Sequence, residues 1–299
     1  MSVLVTGGAG FIGSHLVRRL VKERANVIVL DDFSTGSRDS ISDLDIGMFE
    51  GDVSKKDTLS QFEGVEYLFH FAAPSSIVLF QDDPARCMHR TVCGFVNVFE
   101  WAKSAGVRRV VYPSSGSVYG NIDPPHRETA SPQPTNLYGV AKLCTEHIAK
   151  QYDSVRSVGL RIFAGYGLGE NRKGKAASVV TLFLNSVLRN ESPVVFGDGT
   201  QRRDYVYIDD ITEAVLVAAS GDFSGIVNVG TGRSYSFNEI VSILNRLLDK
   251  RVTPRYIAKP NAYLQHTLAD TKLMSSILGV QPVDLETGLR RYLQSSEVL

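Results

Sequence analysis

The sequence has no surplus of either charge: 32 lysines and arginines balance 32 aspartates and glutamates. A chain without a basic excess lacks the electrostatic footprint that a phosphate backbone demands, so nucleic acid is not an expected partner. Cysteine is scarce. The three present (Cys87, Cys93, Cys144) are odd in number and show no CxxC spacing. That argues against a structural zinc site, so no metal is expected, and toward reduced thiols in a cytoplasmic setting. No apolar run approaches bilayer length. The start, Met1-Ser2, enters Val3-Leu4-Val5 and a glycine turn without the core of a signal peptide. A soluble chain with no membrane partner is the expectation. Internal repeats and low-complexity segments are missing too. What remains is ordinary globular material, 43% hydrophobic and 21% charged over 299 residues, enough for one large α/β domain with a smaller lobe.

Along the chain, short apolar runs alternate with helical spacing. Strands are predicted at Val3–Val5, Val27–Leu30, Met48–Glu50, Tyr67–Phe71, Arg109–Pro113 and Val158–Phe163. Helices are predicted at His15–Glu23, Thr91–Ser104 and Tyr138–Tyr152, and, after the pattern loosens beyond Gly165, at Asp209–Ala219 and Ser236–Leu248. Continuous apolar strands between helices imply an α/β fold, a Rossmann-type doubly wound parallel sheet covered on both faces. Residues 1–165 are assigned to the sheet domain, with 204–232 returning to it and Tyr205–Ile208 as the candidate returning strand. Residues 166–203 and 233–299 form an interleaved substrate lobe.

Thr6-Gly7-Gly8-Ala9-Gly10-Phe11-Ile12-Gly13 follows a strand and opens a helix. In that context a diphosphate can sit against free backbone N–H groups at the positive helix end, where side chains would block its approach. Asp31 ends the next strand, where a carboxylate meets an adenosine ribose and repels a 2′-phosphate, so NAD is favoured over NADP. Asp52, at the following strand end, is a candidate for the adenine amino group.

Tyr138 and Lys142 stand four residues apart on one helix face. An ammonium near a phenol favours the phenolate and lowers a pKa that is otherwise near ~10, which turns tyrosine into a usable base for an alcohol proton. Pro113 to Gly120 (PSSGSVYG) brings hydroxyls to the carboxyl end of the preceding strand, where ligands bind in such sheets. His70, at the end of an apolar strand, reads as a core histidine, and Trp101 as packing.

Together these segments resemble the extended short-chain dehydrogenase/reductase superfamily, in its NAD-dependent epimerase/dehydratase branch. The likeness runs through DDFSTG (Asp31 to Gly36), Gly51-Asp52-Val53, His70 to Ala73, LRIFAGYG (Leu160 to Gly167), GDGTQRRDYVYIDD (Gly197 to Asp210), Asn228 to Gly232 and Ala269-Asp270. The resemblance implies Tyr138 as base and acid, Lys142 as its partner and ribose ligand, and Ser115 as the hydroxyl at the reacting oxygen. It implies Gly7, Gly10, Phe11, Ile12 and Gly13 at the diphosphate of NAD. Asp31, Asp32, Ser34, Thr35 and Gly36 would hold the ribose, Asp52 and Val53 the adenine, and Phe71, Ala72 and Ala73 the way to the nicotinamide. For a nucleotide sugar, UDP-linked by resemblance, it implies Ser115, Ser117, Val194, Phe196 and Arg203, and it implies a homodimer.

Departures from the family pattern refine the expectation. The acid that dehydratases carry two positions after the catalytic hydroxyl is Ser117 here, which favours a 4-epimerase. The family's substrate asparagine is Ala164, the asparagine three before Gly94 is Thr91, and the second diphosphate arginine has only Lys259-Pro260-Asn261 nearby. A nucleotide-sugar ketoreductase or dehydratase, and a non-catalytic NAD-binding protein, are the alternatives; the last usually lacks the tyrosine or lysine present here.

Overall fold

The computed structural model describes residues 1–259 and 263–295. The first half sets strands between helices and short turns: β1 (Ser2–Thr6), α1 (Phe11–Lys22), β2 (Asn26–Asp31), β3 (Gly47–Glu50), β4 (Tyr67–His70), α2 (Ile77–Asp82), α3 (Pro84–Ser104), β5 (Arg109–Ser115), α4 (Leu137–Ala149) and β6 (Ser157–Ile162). These strands and β10 (Gly225–Val229) form a seven-stranded sheet in the order β10-β6-β5-β4-β1-β2-β3, parallel at each pairing. The order reverses between β1 and β4, which opens a crevice beyond their carboxyl ends.

Side-chain alternation along each strand fills two cores. In β1, Val3 and Val5 face one cluster with Leu16, Val17 and Leu20 of α1, while Leu4 faces the other with Phe95, Val98 and Phe99 of α3. The sequence places the start of α3 at Thr91; it begins at Pro84 because Asp83 caps it, accepting from Arg86 N at 3.1 Å, and proline occupies the first turn.

The remaining elements are β7 (Ala164–Tyr166), α5 (Val179–Leu188), β8 (Val194–Phe196), β9 (Arg202–Tyr207), α6 (Ile208–Ser220), β11 (Ser234–Ser236), α7 (Phe237–Leu248), β12 (Arg255–Ile257), α8 (Lys272–Ile277) and α9 (Leu285–Gln294). β9 does not rejoin the large sheet as expected. It pairs antiparallel with β11 and parallel with β7, and with α5, α7 and α9 it encloses a third core. The helix after it, α6, packs on α1, β5 and β6 of the large sheet.

The chain therefore passes between the two bodies several times: at 162–164, at 207–208, at 229–234, and again where α8 contacts β10 before α9 returns to β9. Asp204 fastens this seam. Fully buried on β9, its carboxylate accepts from Thr231 N at 2.8 Å, Thr231 Oγ1 at 2.6 Å, Gly232 N at 3.0 Å and Ala269 N at 3.1 Å. Among the described residues no helix is long and apolar enough to cross a membrane.

Candidate active site

One cleft of about 380 Å³ runs along the carboxyl edge of the large sheet. At its centre α1 starts at Phe11 after Gly10, whose position offers no side-chain cap, so the first amides of the helix point toward the cleft with a partial positive charge. The turn is closed by contact. Gly7 has φ +72°, and a Cβ there would lie 2.5 Å from the backbone of Phe71 and Ala72; one on Gly13 would lie 2.1 Å from Gly7 O. Both positions accept only glycine. Gly10, Phe11, Ile12, Phe71, Ala72 and Ala73 line the same stretch.

At one end stand the strand-end carboxylates. Asp31 Oδ2 accepts from Ala9 N at 2.9 Å and Oδ1 from Phe33 N at 2.8 Å. Burial raises its pKa, and these two bonds and Arg90 oppose the rise. Asp32 Oδ1 accepts from Ser34 N and Oγ at 3.0 and 2.7 Å. Arg90 on α3, which no sequence motif flags, ties this end together. It pairs with Asp32, donates to Asp52 Oδ2 at 3.1 Å and donates to Ser34 Oγ at 3.1 Å. Thr35 and Val53 line this end, whereas Gly36 packs behind the turn against Ala9.

At the other end β5 delivers Ser115. Its Oγ accepts from Ser117 N at 3.1 Å, which leaves Ser117 in the short turn at 116–119 and off the cleft wall. α4 starts at Leu137, capped by Asn136 Oδ1 accepting from Gly139 N at 2.9 Å, so Tyr138 enters the cleft in the first turn and Lys142 one turn later. The Lys142 Nζ donates to Pro113 O at 3.1 Å and lies 5.9 Å from the Tyr138 ring centroid.

The electrostatics of this pair differ from the sequence expectation. The Tyr138 phenol is raised above its ordinary value by burial, with a hydrogen bond to Ser115 acting against the rise. Lys142 is itself lowered by burial to about 8. In the protein alone, desolvation outweighs the Ser115 hydrogen bond at the phenol. His70 is a core histidine: its Nδ1 lies 2.8 Å from Thr6 Oγ1, and burial lowers its pKa to about 3.

The residues assigned to the sugar nucleotide gather elsewhere. Arg203 donates to Arg202 O at 2.8 Å and Leu264 O at 2.5 Å, with its guanidinium between the Phe237 and Tyr263 rings at 5.7 and 5.4 Å. Phe196 also meets Tyr263, centroids 5.7 Å apart. Tyr263, absent from the sequence assignment, is thus the meeting point of Arg203 and Phe196. None of these, nor the exposed Val194, borders the main cleft. Of the Lys259-Pro260-Asn261 match, Pro260 and Asn261 lie outside the described residues. Ala164 begins β7, and Thr91 is buried in α3 with its Oγ1 unpartnered.

A dinucleotide crevice that runs into a serine, tyrosine and lysine set defines an enzyme class, the short-chain type oxidoreductases and their epimerase relatives. The family model for the NAD dependent epimerase/dehydratase family matches residues 3–230, and the chain belongs to that family. It is 33% identical over 311 residues to a UDP-glucose 4-epimerase of Mycolicibacterium smegmatis, an alignment covering 98% of each protein. Among solved structures it superposes on the UDP-glucose 4-epimerase of Thermotoga maritima with UDP-glucose at a TM-score of 0.94 and 31% identity, covering 98% of both chains. It also superposes on the NAD complex of the Thermus thermophilus UDP-glucose 4-epimerase at a TM-score of 0.90 and 30% identity, again over 98% of both.

Proposed function

We propose that this protein is an NAD-dependent nucleotide-sugar 4-epimerase of the UDP-glucose type. The reading is carried by one observation: Ser115, Tyr138 and Lys142 share a single cleft with the glycine turn and Asp31. NAD, when bound, supplies the acceptor and donor of the C4 hydride. The residues fit it: a turn that a Cβ would fill at Gly7 and Gly13, free amides at the start of α1, and an oriented carboxylate at Asp31. Gly10, Phe11, Ile12 and Gly13 would hold the diphosphate. Asp31, Asp32, Ser34 and Thr35 would take the adenosine ribose, Asp52 and Val53 the adenine, and Phe71 to Ala73 would lead to the nicotinamide.

In this reading Tyr138 Oη, as phenolate, takes the proton of the C4 hydroxyl while Ser115 Oγ hydrogen-bonds the same oxygen. Lys142, protonated at neutral pH with its pKa near 8, holds the cofactor ribose. Its charge and that of the oxidised nicotinamide offset the burial that raises the phenol. The 4-keto sugar turns over while the lobe built from β7, β9 and β11 with α5, α7 and α9 keeps the nucleotide, with Arg203 at its diphosphate and Val194 and Phe196 at its base. Tyr138 then returns the proton. A homodimer in the cytoplasm, joined through α3 and α4, completes the proposal; sedimentation of the purified protein checks its oligomeric part.

UDP-glucose deuterated at C4 tests the chemistry. Inversion at C4 with the label kept on the sugar is the expected result. Label washed into water, stoichiometric consumption of reduced cofactor, or no inversion of any UDP-, dTDP- or GDP-sugar overturns it.

A further inference from the structure

Behind the three reacting residues lies a charged network to which the proposed chemistry gives no task. Glu146 stands four residues beyond Lys142 and eight beyond Tyr138, so all three share one face of α4. Its carboxylate is 2% exposed and accepts three bonds: from Arg161 Nε at 2.8 Å, Arg161 Nη2 at 2.7 Å and Ser114 Oγ at 2.5 Å. Arg161, 4% exposed, sits directly opposite Ser114 in the β5–β6 register. Its Nη1 donates to the Tyr119 hydroxyl at 2.9 Å, which donates to Asn228 Oδ1 at 2.7 Å.

A buried ion pair is rarely more stabilising than a packed apolar pair of similar volume, so stability alone does not account for it. What a bidentate guanidinium–carboxylate contact does supply is fixed orientation. Here the third bond fastens that contact to the residue preceding Ser115. Eight residues of helix place Glu146 about 12 Å along the axis from Tyr138, too far to touch substrate or cofactor.

We infer that Glu146, held by Arg161, is a positioning residue: it sets the height of α4 against β5 and so the separation of Tyr138 Oη from Ser115 Oγ. The inference rests on the roles proposed above for those two residues.

Two variants test it, Glu146→Gln and the double variant Glu146→Met with Arg161→Met, which removes both charges at similar volume and strands neither. In the NAD-loaded proteins kcat should fall about 100-fold, the effect of misplacing a reacting group by about 1 Å, with KM changed by less than about threefold. The pH at which Tyr138 ionises should rise, read as phenolate absorption against the same protein carrying Tyr138→Phe. Parental kcat and an unmoved Tyr138 titration in a folded double variant would overturn the inference. So would a parallel loss of melting temperature, NAD content and kcat with the titration unmoved, which is the signature of a merely structural pair. The titration needs no sugar. Failure of every nucleotide sugar to react would therefore sink the proposed function and still leave the position of Tyr138 decided.

Discussion

Tyr138 sits under two opposing effects on a phenol, of which burial is the larger: burial pushes its proton on, and the Ser115 hydroxyl helps take it off. The proposed chemistry needs its oxygen and little else of the side chain. Tyr138→Phe is therefore expected to lower kcat by about 10²–10⁴-fold while the purified protein still releases NAD on denaturation, checked by single-turnover kinetics and cofactor assay. Lys142 carries a different signature. Its folded pKa, about 8, lies below its ordinary 10.5, so between those values the unfolded chain binds more protons than the folded one. Stability of the cofactor-free protein should thus climb as pH rises above about 8, and Lys142→Met should flatten the climb. Above pH 10, the buried tyrosines, raised in the fold, hold protons the unfolded chain has lost and turn the trend downward. Urea unfolding across this pH range checks both limbs. At this scale the sequence named Ser115, Tyr138 and Lys142, which share the cleft, because spacing on one helix and one strand end brings them together. It missed Arg90 and Tyr263, which act through tertiary contact with distant segments and have no local pattern.

Elements were legible where local chemistry decides them. The strand, turn and helix around Gly7 to Gly13 follow from glycine's freedom and from apolar spacing, and the Ser236–Glu239 capping box marks the start of α7. The start of α3 carried a readable signal in Asp83-Pro84, a cap followed by a first-turn proline, masked by the polar residues after it. β9 shows the limit of this kind of reading: an apolar run says strand but does not say which sheet, since partner choice depends on β7 and β11. The tightness of the turn into α1 gives a direct prediction. In Gly13→Ala the new methyl would meet Gly7 O, so the variant should lose about 1–3 kcal/mol of stability and purify without NAD, measured by urea unfolding and by absorbance of the denatured extract.

For the whole molecule, the class of fold was readable because six of the seven strands of the large sheet are short apolar runs set between helices or turns, whereas the seventh was not: β9 reads as the returning strand where β10 returns. Asp204 is the test of the junction between the two bodies. Asp204→Leu would leave four donors from Thr231, Gly232 and Ala269 without their acceptor. A loss of about 3 kcal/mol or more is expected, seen as a lower urea midpoint; an unchanged midpoint would mean the seam holds without it.

The repeated passage of the backbone across this seam also limits how the enzyme can breathe. A lid joined by one or two linkers can pivot as a rigid piece, but here any wide swing would have to bend the connections at 162–164, 207–208 and 229–234 together. Under the proposed function, a sugar nucleotide would then enter and leave through movements of surface loops and single side chains, with the floor of the pocket staying still beneath it. A fixed floor would let the ketone of the proposed reaction roll over without drifting away from the Tyr138 oxygen.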